Sequence, residues 1–168
     1  METLAALELE SDTLGAIQSP QNAFILNLGL ESLHVRMKRH CENAQAVAEF
    51  LEAHEKIASV NYCGLESSKY HELAKKYLPS GSCGVVTFEI KGTRADAEKF
   101  MKKLRVAIIA THVADAHTCV LHPASATHRQ MSDSELADCG ISPNTIRFSC
   151  GLENADDIIA DLKQALED

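Results

Sequence analysis

The chain has no tryptophan, only 5% aromatic residues, four prolines and no surplus of basic charge: 16 Lys and Arg stand against 24 Asp and Glu, a formal charge of −8. That deficit argues against a nucleic-acid or anionic-membrane surface, because phosphate contacts need clustered Lys and Arg. The one basic cluster, Arg36 to Arg39, falls in a helical pattern and reads as a solvated helix face. No long apolar run exists either. The long uncharged stretch Leu14 to Leu30 contains Ser, Pro, Gln and Asn and falls short of the roughly 20 apolar residues that span a bilayer. The opening METLAALELESD lacks the positive start of a signal or transit peptide, so a cytoplasmic protein is expected. Six cysteines, at 41, 63, 83, 119, 139 and 150, include no close pair such as CxxC. A chain of 168 residues with 45% hydrophobic content can build a core without covalent staples. Reduced, mostly buried thiols are the expectation.

What is present is an alternation of helix and strand signals. Ser19 can cap a helix that Pro20 opens, since a missing N–H costs nothing in the first turn. Leu26, Leu30, Leu33, Met37, Cys41, Ala44, Ala48 and Leu51 then recur at steps of three and four, which predicts one long amphipathic helix ending near His54. Ile57 to Tyr62 reads as a strand closed by Gly64, and Ser68 to Tyr77 as a short helix stopping before Pro79. Cys83 to Ile90 is a β-branched strand; Thr93 then caps a helix whose Ala97, Phe100, Met101 and Leu104 face inward. The apolar run Val106 to Ala114 suits a strand, although periodicity does not separate it from a buried helix end. Cys119 to Leu121 is another short strand, and Pro123 breaks regular structure. Ser132 and Glu135 form a capping box for a helix ended by Gly140. Thr145 to Cys150 is a strand, and Asn154 caps a last helix buried through Ile158, Ile159, Leu162 and Leu166. Without internal repeats or low-complexity linkers, this order implies an α/β fold, a two-layer α+β domain with helices on one face of a small mixed or antiparallel sheet.

One residue breaks the pattern. Arg147 sits among Thr145, Ile146, Phe148 and Cys150, and a guanidinium inside an apolar strand needs a carboxylate or phosphate to offset its desolvation. That partner is either an acidic side chain of the chain itself or a ligand. Upstream lie four histidines, His112, His117, His122 and His128, with Cys119. Their spacing fits no established zinc pattern. His122 beside Pro123 reads first as an imidazole that fixes a turn rather than as a catalytic base.

The runs HPASATH and IRFSCGLENADDIIADL, with the aspartate of VADAHT, resemble the C-terminal domain of the Cys/Met-metabolism enzymes that use pyridoxal phosphate. SPQNAFILNLGLESLHVRMKRHCENAQAVAEFLEAH and VNYCGLESSKYHELAKKYLPSGSCGVVTFEIKG follow the same family in the same order, so the resemblance covers roughly Leu14 to the C-terminus. It implies the small C-terminal domain of a fold-type I enzyme, with residues 19–168 as the substrate-carboxylate domain and residues 1–18 as the remnant of a connecting segment. The branch it suggests comprises sulfhydrylases that exchange the acetyl group of O-acetylhomoserine for sulfide by γ-replacement.

In the family, the arginine of an R-x-S-x-G-x-E motif holds the substrate α-carboxylate; here that motif is Arg147, Ser149, Gly151 and Glu153. His112 aligns with a Ser or Asn beside the same carboxylate, and Ala114 with a Gly, so both depart from the family pattern. His112 is thus either a substrate contact or a surface or core histidine. Thr118 aligns with a Ser or Thr near the site, and His117 with a variable position that influences substrate choice. Pyridoxal phosphate also requires a lysine that binds it covalently, an acid at its ring nitrogen and a phosphate cradle. No lysine follows the family's Ser/Thr-rich strand context, and no Gly-rich turn precedes a helix. The resemblance therefore implies an amino-acid carboxylate as ligand, a missing N-terminal domain that carries the cofactor, no cofactor bound by this chain alone, and a homo-oligomer. A different class stays open beside it: a freestanding small-carboxylate-binding or assembly module.

Overall fold

The computed structural model of the protein describes residues 17–167. The segment expected to be a connecting remnant, residues 1–18, lies outside them except for Ile17 and Gln18. Two compact units divide the chain, one ending at Val35 and the other spanning Arg36–Asp168.

Helix α1, Pro20–Glu31, starts as its sequence demands, with the Ser19 side chain accepting the Asn22 N–H at 3.2 Å. The single long helix is corrected to two, because α1 stops at Ser32 and α2 occupies Leu33–Glu52. At Ser32 the backbone reaches φ −101° and ψ 3°, and its N–H turns to the Leu30 carbonyl. A serine offers the backbone alternative hydrogen bonds, and Gly29 in the preceding turn is a poor helix former, so the ladder is weakest there. The apolar repeat runs across the break but is used unequally. No α1 residue is buried and Phe24, Ile25 and Leu28 are exposed, whereas Ala44, Val47, Ala48 and Leu51 of α2 are fully buried.

In the larger unit, β1 (Ile57–Asn61), β2 (Val85–Ile90), β3 (Ile108–Ile109), β4 (Cys119–Leu121) and β5 (Thr145–Ser149) form one mixed sheet in the order β1-β2-β5-β4-β3. All neighbours are antiparallel except β3 and β4. Around it lie α3 (His71–Tyr77), α4 (Arg94–Lys103), a 3₁₀ turn (Pro123–Ser125), α5 (Asp133–Asp138) and α6 (Ala155–Glu167). Alternation sorts the strands by face. Val86, Phe88 and Ile90 of β2, Val120 of β4, and Ile146 and Phe148 of β5 meet α2, α4 and α6 in one apolar cluster. Phe88 stacks edge-on against Phe100 at 6.0 Å and 86°. Of the expected mixed or antiparallel sheet, the mixed form is what occurs, with α2, α4 and α6 packed on one face.

The expected strand from Val106 to Ala114 shrinks to two residues at the sheet edge, Ile108 and Ile109, both exposed. The reason lies just before it: the buried carboxylate of Asp161 on α6 accepts the N–H groups of Arg105 (2.8 Å), Val106 (2.9 Å) and Ala107 (3.1 Å). Those N–H groups are spent on a turn, so they cannot join a ladder. All six thiols are free, as expected, but they are less buried than expected: Cys119 and Cys150 are buried, Cys41, Cys63 and Cys83 are partly so, and Cys139 is exposed. Replacing Asp161 by Ala strands three main-chain donors at once and is expected to cost about 2–4 kcal/mol. Thermal melts of Asp161→Ala beside wild type check this, and an unchanged midpoint would refute it.

Candidate functional site

Arg147 lies at the centre of β5, paired across the sheet with Thr87 on one side and Leu121 on the other. Its neighbours Ile146 and Phe148 point into the helix-covered core, so alternation sends the guanidinium to the opposite face. There Nη2 donates to the Thr111 carbonyl at 2.8 Å and reaches the His112 carbonyl only at 3.5 Å, while Nε is buried without a partner. Among the described residues no carboxylate forms an ion pair with it. The internal ion pair that would have explained the charge is therefore not formed by them. A guanidinium in this state retains capacity for an anion.

The carbonyls that hold Arg147 belong to a short loop with its own constraints. Asp115 accepts the His117 N–H at 2.9 Å, and the His112 and His117 Nδ1 atoms each lie 3.3 Å from its carboxylate. The N–H of His117, then its ring, then His112 hold the Asp115 carboxyl below its usual range. Both imidazoles are exposed. Only the main chain of His112 touches Arg147, and its ring instead turns to Asp115. Ala114, where the family pattern has glycine, sits at φ +56°, a left-handed conformation that a Cβ resists.

Thr118 is fully buried. Its N–H and hydroxyl both donate to the Glu153 carboxylate, at 2.7 and 2.8 Å, and its Oγ1 accepts the Gly151 N–H at 2.9 Å. With no exposed surface and its hydroxyl engaged twice, Thr118 holds the Gly151–Glu153 turn. Gly151 has no room for more. A Cβ there would lie 2.5 Å from the Ala116 carbonyl oxygen and 2.4 Å from the Glu153 Oε2. Cys119, beside this network, has its thiol pushed up by burial first and then by Asp115 and Glu153, with Arg147 opposing. Burial likewise pushes the Cys150 thiol up to about 12, which leaves it inert.

His122 takes the structural role expected of it: Nε2 donates to the Pro143 carbonyl at 2.7 Å, and Nδ1 lies 2.8 Å from Ser125 Oγ. His128 is apart from it, bonded to Thr127 at 2.9 Å. Two residues that sequence reasoning passed over join the site from behind. His40 Nδ1 donates to the Cys150 carbonyl at 2.7 Å, and Asn43 Nδ2 donates to the carbonyls of Gly151 and Glu153, each at 2.9 Å. Their signal was two polar residues three apart on the buried face of an otherwise apolar helix stripe.

A family model described as Cys/Met metabolism PLP-dependent enzyme matches residues 2–167. The chain is 45% identical over 155 residues to an O-acetyl-L-homoserine sulfhydrylase of Leptospira meyeri, covering 92% of this chain and 35% of that protein. It is 40% identical over 156 residues to an L-methionine gamma-lyase of Fusobacterium nucleatum subsp. polymorphum, covering 93% and 39%. Among solved structures it is similar to one described as an O-acetylhomoserine (thiol)-lyase of Campylobacter jejuni with N′-pyridoxyl-lysine-5′-monophosphate. There the TM-score is 0.83 and the identity 46%, covering 92% of this chain and 37% of that one. A sheet layered on one side by helices, with an arginine aimed from the other, thus has a family: this chain belongs to the Cys/Met metabolism PLP-dependent enzymes. It spans little more than a third of the length of the relatives it matches.

Whether the residues present could hold that cofactor is answered by the lysines. Covalent attachment calls for a desolvated amine near neutral pKa. None of the lysines at 38, 56, 69, 75, 76, 91, 99, 102, 103 and 163 is buried, and the side chains of Lys38, Lys75 and Lys163 pair with acids on exposed helix faces. They do not fit the covalent half of a pyridoxal phosphate site. Incubating this chain with pyridoxal phosphate and reducing with borohydride is therefore expected to leave no stoichiometric adduct on any single lysine; a unique, stoichiometric adduct found by peptide mass spectrometry would contradict this. At Ala114, glycine is expected to relieve the left-handed strain and raise stability by about 0.5–1 kcal/mol, less the entropy it returns to the unfolded chain. Denaturant unfolding of Ala114→Gly checks the sign.

Proposed function

We propose that this chain is the substrate-carboxylate domain, residues 19–168, of a pyridoxal-phosphate-dependent sulfhydrylase that replaces the acetyl group of O-acetylhomoserine with sulfide to form homocysteine in methionine biosynthesis. The observation that carries the proposal is Arg147, a half-buried guanidinium on the sheet face away from the apolar core, which no acid among the described residues neutralises. A planar fork held on one side by the Thr111 carbonyl can present its remaining donors to a carboxylate, and such charge-assisted contacts set orientation as well as affinity. The His112 carbonyl lies 3.5 Å from Nη2, His117 shares Asp115 with the His112 ring, and Thr118 holds the turn that follows the strand of Arg147. The cofactor supplies an electron sink when bound in the full-length parent, where a domain N-terminal to this one carries the lysine. This domain orients the substrate by its α-carboxylate and closes over it.

The same grip would serve a γ-lyase, since methionine γ-lyases are also among the relatives. The choice of the sulfhydrylase rests on overall similarity, 45% identity to the O-acetyl-L-homoserine sulfhydrylase against 40% to the methionine gamma-lyase. The parent enzyme is a cytoplasmic homo-oligomer in this reading. Among the described residues no helix is long and apolar enough to cross a membrane.

In the full-length parent, Arg147→Ala is expected to weaken substrate binding by ~2–5 kcal/mol, read mainly in KM because the carboxylate is held alike in ground and transition states. Arg147→Lys should recover only part, since an ammonium cannot offer two parallel donors. KM and melting temperature measured on one Arg147→Ala preparation decide the matter: an unchanged KM with a lowered melting temperature would retire the substrate role.

A further inference from the structure

We infer that His40 and Asn43 on α2 are positioning residues for Arg147, acting through the Cys150–Glu153 turn; this rests on reading Arg147 as the carboxylate grip. Both side chains are 1% exposed, and burying an imidazole and an amide is unfavourable unless their polar atoms are bonded. Each spends its donors on the main chain of one distant turn. His40 takes the Cys150 carbonyl, and Asn43 takes those of Gly151 and Glu153. These carbonyls have left the β5 ladder, so side chains supply what strand pairing no longer does.

Each side chain also keeps one buried atom without a partner, His40 Nε2 and Asn43 Oδ1. Packing alone would be served better by leucine or alanine at both positions. The approach is made possible by Gly84, whose absent side chain leaves room for His40: a Cβ there would lie 3.0 Å from the His40 Cβ. The Gly84 carbonyl in turn accepts the Cys150 N–H at 2.8 Å.

From the turn, the contacts reach the end of the strand that carries Arg147 and the loop that presents its carbonyl anchor. Cys150 begins just after β5, so its position sets where the strand carrying Arg147 ends. Gly151 donates to Thr118, Leu152 donates to the Ala116 carbonyl at 2.8 Å, and Glu153 receives both Thr118 donors. Ala116 and Thr118 close the loop whose other end presents the Thr111 carbonyl to Nη2. The α2 pair thus orients the guanidinium without touching it. Displacements below an ångström at such a support are enough to weaken an oriented contact.

The test uses the ¹⁵N-labelled chain and three near-isosteric variants. His40→Asn keeps a donor close to the Nδ1 position, His40→Leu removes it, and Asn43→Asp keeps the shape but loses both donors. Amide exchange at Gly151 and Leu152 reports the turn, and titration with sodium acetate followed on the Arg147 Nε–H resonance reports the grip. His40→Leu and Asn43→Asp are expected to lose about tenfold or more of the exchange protection and to weaken acetate binding about fivefold or more, whereas His40→Asn retains most of both. If either disruptive variant does not fold, Asn43→Ser, which can reach one carbonyl at most, is expected to show a partial loss in both readouts. Folded disruptive variants with a wild-type acetate response, or an acetate response lost while the turn stays protected, overturn the inference. A wild-type Arg147 resonance that ignores acetate overturns the carboxylate reading instead. Positioning is then decided by whether that resonance moves in His40→Leu and returns in His40→Asn, and a resonance that stays in place refutes it.

Discussion

The close approach of Gly151 to the Ala116 carbonyl is the constraint on which this site depends. No side chain fits between the two segments, so the turn after β5 lies directly on the loop before β4, and the Glu153 carboxylate can reach back to both donors of Thr118. A carboxylate that accepts a main-chain N–H and a hydroxyl together at short distance makes charge-assisted bonds, about twice as strong as neutral ones. That junction ties the end of β5 to the start of β4 across a gap of 35 residues in sequence. Arg147 and its carbonyl anchor stand at the two sides of what it ties.

Polar groups inside the larger unit follow one logic. Asp161, Glu153, Asn43 and His40 are each buried or partly buried, and each is bonded to main-chain groups that no strand or helix ladder uses. Irregular backbone near a core is costly unless its N–H and C=O groups are paired, and these four side chains pair it. Arg147 differs from them in charge: it is a cation with a buried, unpartnered Nε and no acid paired with it among the described residues.

Much of this was legible in sequence because it is local. Ser19 with Pro20, Ser132 with Glu135, and Asn154 start helices through bonds within three residues, and period-two alternation in VVTFEI sorts the core face from the other. Arg147 stood out for the same reason: a charge at an alternating position is visible without any knowledge of neighbours. Ala114 was legible as a departure from the family pattern, and its left-handed φ shows what the usual glycine is for.

What sequence alone determined, then, was the order and character of the elements, a small sheet with helices on one side whose strand directions it left open, and the arginine that no strand should carry. Tertiary structure alone decided which part of the long apolar repeat is used: no residue of α1 is buried, whereas Ala44, Val47, Ala48 and Leu51 of α2 are. It also decided that Val106 to Ala114 does not form a full strand, since the donors of its first residues are claimed by Asp161 from 54 to 56 positions away. The roles of His40, Asn43 and Thr118 belong to the same class. Their partners lie 33 to 110 residues distant, and a hydrogen bond at that separation exists only once the sheet has brought the turn and the helix together.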